Sequence, residues 1–192
     1  MSETTRCFVA APLTPEIREK TRVLQEKLKG LDGVKWVDPD QIHLTLKFLG
    51  DVAVEDVPYV AEQLDIVATG SWPSDLLLCR LGVFPNAKSP KVLWWGPEFD
   101  SVPEKLKALH FHMEGALQAL GFPNESRAFR PHLTLGRIKG AVNPIALAAG
   151  LRQPEELLSG TLPIREVHLM ESRLSPTGAF YSSLARLSLE DD

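Results

Sequence analysis

The sequence has 192 residues, 44% of them hydrophobic, which is ordinary for a soluble globular protein of one substantial domain. The formal net charge of -4 excludes a protein that coats long nucleic acid through backbone charge alone, although a local basic cluster can still hold a small anion. The sequence lacks both a run of about 18 apolar residues and an N-terminal signal pattern, so we expect a cytoplasmic protein that does not enter a membrane.

The first half of the chain predicts a mixture of strands and helices. Thr14 is a plausible N-cap with proline at the first helical position, and an apolar stripe at helical spacing follows it. The predicted elements are a strand at 6–12, a helix from Thr14 to Gly30, a strand at 33–37, a strand at 41–49 and a helix at 56–68. Cys7 and Cys79 lie in strand-like apolar runs, and we expect both to be buried free thiols.

The second half continues in the same irregular order. Its predicted elements are strands at 75–84, 91–95 and 129–137, helices at 102–120 and 143–151, and strands at 162–172 and 179–189 that flank a turn at 175–178. Because single strands and helices do not alternate regularly, the order favours an α+β fold with mainly antiparallel sheets.

One motif occurs twice, about ninety residues apart: His-Leu-Thr-Leu at 43–46 and at 132–135. Since side chains alternate across a strand, His43 shares a face with Thr45 and Lys47, while Leu44, Leu46 and Phe48 point the other way. The same alternation places His132 beside Thr134. Two copies in separate halves predict two walls of one site, and residues 1–192 are expected to form a single two-lobed domain.

An imidazole and a hydroxyl from each motif suggest acid–base chemistry on a phosphate group. One neutral and one protonated histidine form a general base and a general acid, since the ordinary imidazole pKa is about 6.5. The basic residues nearest the motifs are Lys47, Arg130, Arg137 and Lys139. Arg130 has the alternation of His132, although Pro131 disturbs the local geometry. Arg137 follows His132 by five residues, so it reaches the same face only if Gly136 permits a β-bulge.

Other chemistries find less support in the sequence. No Cys-x-x-Cys, His-Glu-x-x-His or carboxylate cluster accompanies the histidines, so we expect no metal and no cofactor. Neither a Gly-x-Ser-x-Gly motif nor a cysteine within a motif suggests a nucleophile. We expect His110, His112 and His168 to be structural or solvated. Of Trp94 and Trp95, at most one can face a site on the strand.

The paired motifs resemble the His-x-Thr-x signatures of the two-histidine phosphoesterases. With the surrounding residues 36–50 and 129–137, and with 169–174 before Gly178 and Tyr181, the chain looks like the bacterial RNA 2′,3′-cyclic phosphodiesterases, also called 2′-5′ RNA ligases. The resemblance covers nearly the whole chain. It implies a bilobal α+β fold whose two sheets are related by a pseudo-twofold axis, with helices outside and a central cleft.

The resemblance also implies roles for particular residues. His43 would protonate the departing 3′ oxygen, His132 would activate water, and Thr45 and Thr134 would hold phosphate oxygens. Arg137 matches the arginine of the family, and Arg130 is a further expected contact to substrate. The implied reaction converts RNA 2′,3′-cyclic phosphate ends to 2′-phosphate ends without metal, and its reverse would form a 2′-5′ bond.

Several questions stay open at the level of sequence. The motifs are nearly symmetric, so residues alone do not say which histidine is the acid. Trp36 is an aromatic side chain that could stack on a base, whereas Phe48 has the alternation of the core. A non-catalytic module that binds phosphorylated RNA ends, or a phosphodiesterase for small cyclic nucleotides, is an alternative. We expect a monomer whose partners are RNA ends or nucleotides with a cyclic phosphate.

Overall fold

The computed structural model describes residues 3–175 and 178–190, so Pro176 and Thr177 of the predicted turn at 175–178 lie outside the described residues. The strands are β1 (Thr4–Ala11), β2 (Val34–Trp36), β3 (Leu44–Ala53), β4 (Ser74–Leu78), β5 (Arg80–Phe84), β6 (Val92–Gly96), β7 (Leu133–Ile138), β8 (Gly160–Ile164), β9 (Glu166–Ser175) and β10 (Gly178–Ser188). The helices are α1 (Pro15–Leu28), α2 (Val57–Thr69), α3 (Glu104–Ala119), α4 (Pro144–Gly150) and α5 (Glu155–Leu158).

Helix α1 forms as its sequence pattern predicts. The Thr14 hydroxyl accepts a hydrogen bond from the backbone N–H of Ile17 at 3.3 Å, which satisfies one of the free donors of the first turn. Its buried residues are the predicted stripe: Ile17, Thr21, Leu24 and Leu28. Asn143 likewise caps α4 by accepting from two backbone N–H groups. Local capping therefore fixes where both helices begin, and their buried residues join the common core.

The large antiparallel sheet has the order β10-β9-β1-β3-β7-β6-β5, and β2 pairs with the outer part of β7. Its two halves, β10-β9-β1-β3 and β2 with β7-β6-β5, join only where Leu44 of β3 pairs with Leu133 of β7. We call these halves the first lobe and the second lobe. The two predicted sheets are thus continuous through one residue pair, and the α+β class with mainly antiparallel strands is confirmed.

Helices cover one face of the sheet. Helix α2 packs on α3 and on β9 and β10, and α1 packs against β8. Between them and the strands lies the hydrophobic core, which includes the fully buried Leu44 and Leu133 at the junction. Because these leucines point into the core, the residues on either side of each one point to the opposite face, where the site lies.

Two predicted strands are each broken in the structure. The run 75–84 splits at Cys79 into β4 and β5, and the run 162–172 splits at Arg165 into β8 and β9. In both cases the first piece leaves the large sheet, because β4 and β8 pair with each other in a separate two-stranded sheet. Short helix α5 was not predicted. Cys7 and Cys79 are both free, and Cys79 is only partly buried.

Within the described part of the chain, every helix is too short or too polar to span a membrane.

Candidate active site

The two His-Leu-Thr-Leu motifs meet at the junction of the lobes. The antiparallel pair Leu44–Leu133 brings the starts of β3 and β7 together. In an antiparallel pair the order of neighbours is reversed, so His43 lies on the side of Thr134 and His132 on the side of Thr45. The predicted four-residue constellation is therefore assembled on the face opposite the core.

Both histidine rings are held in the same way by backbone carbonyls. His43 Nδ1 lies 2.9 Å from the carbonyl oxygen of Gln41, and His132 Nδ1 lies 2.8 Å from that of Arg130. A carbonyl oxygen only accepts, so Nδ1 is the donor in each ring and carries the hydrogen. Nε2 is then the nitrogen that gains or loses a proton, as the chemistry of a general acid or base requires.

Aromatic side chains flank each imidazole. In the first lobe, the Phe8 and Tyr181 ring centroids lie 4.8 and 5.0 Å from that of His43. In the second lobe, Phe84 lies 4.9 Å from His132 and is nearly perpendicular to it. Sequence reasoning missed the contacts of Phe8 and Phe84, because they depend on pairing between strands that are far apart in sequence. These rings fix the orientation of the two imidazoles, which remain partly exposed.

The environment lowers the pKa of both histidines. Burial lowers the pKa of His43 to about 4, against the opposing effect of the Gln41 carbonyl, and the positive charges of Arg137 and His132 lower it further. Burial also lowers the pKa of His132, which the Arg130 carbonyl partly offsets, and Arg137 lowers it again. Both rings are therefore neutral near pH 7 when no ligand is bound. Arg137 lies close enough to act electrostatically on both.

A β-bulge in the first motif overturns the predicted faces of two residues. The β1–β3 register passes from the Ala10–Thr45 pair to the Val9–Lys47 pair, so Leu46 is an extra residue. Lys47, expected beside His43 and Thr45, is instead buried on the core side at 1% exposure, and Phe48, expected in the core, is 62% exposed. Both predictions were wrong because strict alternation does not survive a bulge.

The two side chains whose faces are exchanged by the bulge, Lys47 and Phe48, each contact particular neighbours. Lys47 Nζ donates to Glu114 Oε1 at 2.6 Å and to the carbonyl oxygen of Pro123 at 2.9 Å. Phe48 pairs with Phe8 across the strands, and their ring centroids are 6.1 Å apart. Because Phe8 also contacts His43, Phe48 extends the aromatic wall of the site.

The second motif contains the matching bulge. The β6–β7 register passes from the Trp94–Thr134 pair to the Leu93–Gly136 pair, so Leu135 is the extra residue. Arg137 consequently returns to the face of Thr134, as the hypothesis of a bulge required. A Cβ at Gly136 would lie 2.6 Å from Val34 Cγ1, so glycine is needed for β2 to approach β7. Phe48 and Arg137 occupy equivalent positions, five residues after their histidines.

The remaining candidate residues are distributed as follows. The Arg130 guanidinium lies 5.3 Å over the ring of Phe99, which packs against Trp94 beside His132. Lys139 follows the end of β7 and is exposed. Trp36, considered as a platform for a base, packs on the core beside Gly136 instead. Of the four predicted basic residues, Lys47 is therefore absent from the site, and Arg137 is the one whose charge acts on both histidines.

The other histidines and the paired tryptophans have mostly structural environments. His110 stacks on Phe129 at 4.0 Å, and His112 is exposed. Trp95 is in the core, and its Nε1 donates to the Leu158 carbonyl oxygen at 2.8 Å. Trp94 lies on the opposite face and is also buried.

Two pockets are large enough to note. One of about 110 Å³ adjoins His43 and contains Gln41, Tyr181 and His168. A larger one of about 330 Å³ is lined by Pro73, Ser74, Asp75, Pro103, Lys105 and Arg165, and none of these belongs to the motifs. Among residues 3–175 and 178–190, no three His, Cys, Asp or Glu side chains are grouped as metal ligands.

Comparison with known proteins identifies a family whose matched regions include both motifs of this site. The sequence matches the family described as LigT-like phosphoesterase over residues 11–94 and 99–181, so each match contains one His-x-Thr motif. The chain is a phosphoesterase by fold and motif, and it belongs to the LigT-like phosphoesterase family.

Its relatives and structural neighbours match over nearly their full length. RNA 2′,3′-cyclic phosphodiesterases of Methanothermobacter thermautotrophicus and Archaeoglobus fulgidus are 33% and 35% identical, over 93% of this chain and 96% and 97% of theirs. A Thermus thermophilus structure matches with a TM-score of 0.81 at 29% identity, over 96% of this chain and 97% of that one. Escherichia coli LigT in complex with 3′-AMP matches with a TM-score of 0.80 at 25% identity, over 98% and 100%.

Proposed function

We propose that the protein hydrolyses RNA ends that carry a 2′,3′-cyclic phosphate and leaves a 2′-phosphate, without a metal ion. The observation that carries the proposal is the pair of imidazoles at the lobe junction. Each has Nδ1 bound to a carbonyl and Nε2 available for proton transfer, and each lies near a motif threonine. The relatives, named as RNA 2′,3′-cyclic phosphodiesterases, support the same substrate class.

The proposed mechanism uses the two rings in opposite protonation states. His132 Nε2 takes a proton from water as the water oxygen bonds to phosphorus, and His43 Nε2 gives a proton to the departing 3′ oxygen. One P–O bond forms and one breaks, so the product carries a 2′-phosphate and a 3′-hydroxyl. The rings then exchange protons with solvent and return to their starting states.

The hydrogen-bond donors and the positive charge of the site would bind the phosphate. Thr45 and Thr134 donate to its non-bridging oxygens, and Arg137 stabilises the negative charge that gathers on them in the transition state. The bound phosphate is itself an anion, and a nearby negative charge raises an imidazole pKa. Substrate binding thus offsets the burial that keeps His43 neutral in the free protein and supplies the protonated acid.

The rest of the substrate meets aromatic and basic side chains. The exposed ring of Phe48 offers a stacking surface for the terminal base, and Arg130 lies at the opposite wall beside Phe99. Run in reverse, the same acid and base would join a cyclic phosphate end to a 5′-hydroxyl through a 2′-5′ bond.

The test is incubation of the purified protein, with chelator, with RNA ending in a 2′,3′-cyclic phosphate, followed by identification of the terminal phosphate. We expect a 2′-phosphate from the wild type and from the control His112→Ala, whose ring is exposed on α3. We expect at least roughly 10²-fold slower hydrolysis by His43→Ala and by His132→Ala, the lower end of typical contributions of a general acid or base.

The other outcomes separate the alternatives. Tight binding without turnover would favour a module that only binds phosphorylated ends. Near wild-type rates in either alanine variant would exclude the two-histidine mechanism. A 3′-phosphate product would show that the assigned leaving oxygen is wrong, and loss of activity with chelator would contradict metal independence.

A further inference from the structure

The pocket beside His43 has features of a binding site that the catalytic residues do not use. It lies on the side of Gln41, where the end of β1 meets the start of β9, and its walls include Pro12, Leu13, Arg18, His168 and Met170. Its volume of about 110 Å³ is below the roughly 300 to 1,000 Å³ of pockets that enclose whole drug-sized ligands. It can therefore hold a part of a ligand whose phosphate is at the histidines.

Two residues that line this pocket each have a buried side-chain nitrogen without a hydrogen-bond partner within residues 3–175 and 178–190: Arg18 Nε and His168 Nε2. Each lies near a carboxylate, Arg18 Nε at 3.5 Å from Asp40 and His168 Nε2 at 3.1 Å from Glu166, but neither contact has the angles of a hydrogen bond. His168 is only 8% exposed. Since buried polar atoms normally have partners, these two indicate a polar ligand or ordered water.

The charges in and around the pocket indicate which kind of ligand fits. Asp40 lies beside Arg18 and also accepts from Arg22 at 2.9 Å, and Glu166 lies beside His168. Carboxylates next to both unpartnered nitrogens disfavour a second phosphate. An uncharged planar group with hydrogen-bonding edges fits better, because Pro12, Leu13 and Met170 supply apolar walls. A nucleobase has this chemistry.

The pocket and Phe48 lie on opposite sides of His43 along the chain. Phe48 follows His43 by five residues, whereas the pocket residues Asp40, Gln41 and Ile42 precede it. Phe48 and the pocket are therefore two separate places for a base near a phosphate at the histidines. A single nucleotide has only one base, so two such places imply a substrate of at least two nucleotides.

We propose that this pocket binds the base of the nucleotide next to the terminal one, with Arg18 Nε donating to its edge and His168 Nε2 donating to or accepting from it. The inference rests on the proposed function and narrows its substrate to RNA ends rather than small cyclic nucleotides. Arg18 and His168 contribute to substrate choice in this scheme and take no part in proton transfer.

The experiment compares kcat/KM for a dinucleotide ending in 2′,3′-cyclic phosphate with that for a nucleoside 2′,3′-cyclic phosphate. We expect the wild type to prefer the dinucleotide. Arg18→Met and His168→Leu should each lower that preference by roughly threefold to tenfold, the contribution of one hydrogen bond, and leave the mononucleotide rate unchanged. Arg22→Met is the matched control, because Arg22 shares the partner Asp40 without lining the pocket.

The results that would overturn the pocket differ from the result that would overturn the proposed function. Equal kcat/KM for both substrates in the wild type would mean that the pocket holds water only. Equal losses on both substrates in Arg18→Met or His168→Leu would mean that these residues merely support His43. If the wild type hydrolyses neither substrate, the proposed function fails by itself. The pocket is then tested by binding, with dissociation constants measured for the dinucleotide 2′-phosphate and the nucleoside 2′-phosphate. Tighter binding of the dinucleotide by the wild type, lost in Arg18→Met and His168→Leu, supports the pocket. Equal binding of both ligands overturns it.

Discussion

At the scale of single residues, the packing that orients the histidines also sets their acidity. Phe8 and Tyr181 enclose His43, and Phe84 encloses His132, so burial lowers both pKa values below the ordinary 6.5. A ring held this firmly is well placed for proton transfer but is hard to protonate. The cationic Arg137 strengthens the effect on both rings.

The pKa shifts predict an acidic optimum for kcat/KM. This quantity follows the protonation of the free enzyme, which needs one ring protonated and the other neutral. The mechanism assigns that proton to His43, whose pKa burial lowers to about 4, and burial also lowers the pKa of His132. As pH rises above 6.5, both rings become neutral and the acid is lost. A profile of kcat/KM on an RNA cyclic phosphate should therefore fall steadily above that pH.

Replacing Arg137 tests the electrostatic part of this account. In Arg137→Gln the positive charge that lowers both pKa values is gone, so both pKa values rise and the optimum moves to higher pH. The rate should also fall by roughly 10²-fold, as when one donor to a transition-state anion is removed. Arg137→Lys keeps the charge and should keep the wild-type optimum. An unchanged profile in Arg137→Gln would show that burial alone sets the two pKa values.

At the scale of elements, the buried Lys47–Glu114 ion pair ties β3 to α3. Lys47 and Glu114 side chains are 1% and 12% exposed, and their charged atoms are 2.6 Å apart. Glu114 also accepts from the backbone N–H of Glu125, in the loop that leads to His132. The pair therefore connects the strand of the first motif to the segment before the second.

Removing one partner of this pair should destabilise the fold strongly. Lys47→Met leaves the Glu114 carboxylate buried without its cation, and the expected loss of unfolding free energy is roughly 3–5 kcal/mol. The double variant Lys47→Met with Glu114→Leu should recover much of that loss, because no unpaired charge remains. Urea denaturation measures all three proteins.

The exposed pair Lys29–Glu26 at the end of α1 provides the control for this prediction. Its atoms are 2.7 Å apart, but its side chains are 66% and 69% exposed. Lys29→Met should therefore change the unfolding free energy by no more than about 1 kcal/mol. A similar small effect of Lys47→Met would mean that water reaches Glu114 and that the pair does not hold β3 to α3.

The two bulges mark the limit of what alternation predicts. It gave the correct faces for His43, Thr45, His132 and Thr134, because these residues lie at or just before the start of each strand and precede the extra residue. The extra residues Leu46 and Leu135 then invert the faces that follow. Gly136 was a signal for the second bulge, and no glycine marks the first. The register between paired strands decides which face each residue takes after a bulge, and alternation in a single sequence does not predict that register.

At the scale of the whole molecule, the lobes are not the halves of the sequence. The first lobe takes β1 and β3 from the beginning of the chain and β9 and β10 from its end. The second lobe takes β2, β5 and β6 from the first half and β7 from the second. The repeated motif predicted two walls of one site, but it did not predict this exchange of strands, which depends on contacts between distant segments.

This exchange predicts that the chain unfolds as one cooperative unit, since neither lobe is complete without strands from both halves of the sequence. In a Trp72→Phe variant, the remaining tryptophans are Trp36, Trp94 and Trp95, all on β2 and β6 of the second lobe. Their fluorescence reports that lobe, whereas far-ultraviolet circular dichroism reports both. We expect the two signals to give the same urea midpoint and slope, as a two-state transition requires.

A ligand between the lobes extends the test. A nucleoside 2′-phosphate at 100 times its dissociation constant should stabilise the protein by about 2.7 kcal/mol and shift both signals together. If fluorescence changed at a lower urea concentration than circular dichroism, the second lobe would unfold on its own despite the shared strands. The Leu44–Leu133 pair would then act as a hinge between independent units, and the ligand would bring the two midpoints closer, because it binds residues of both lobes.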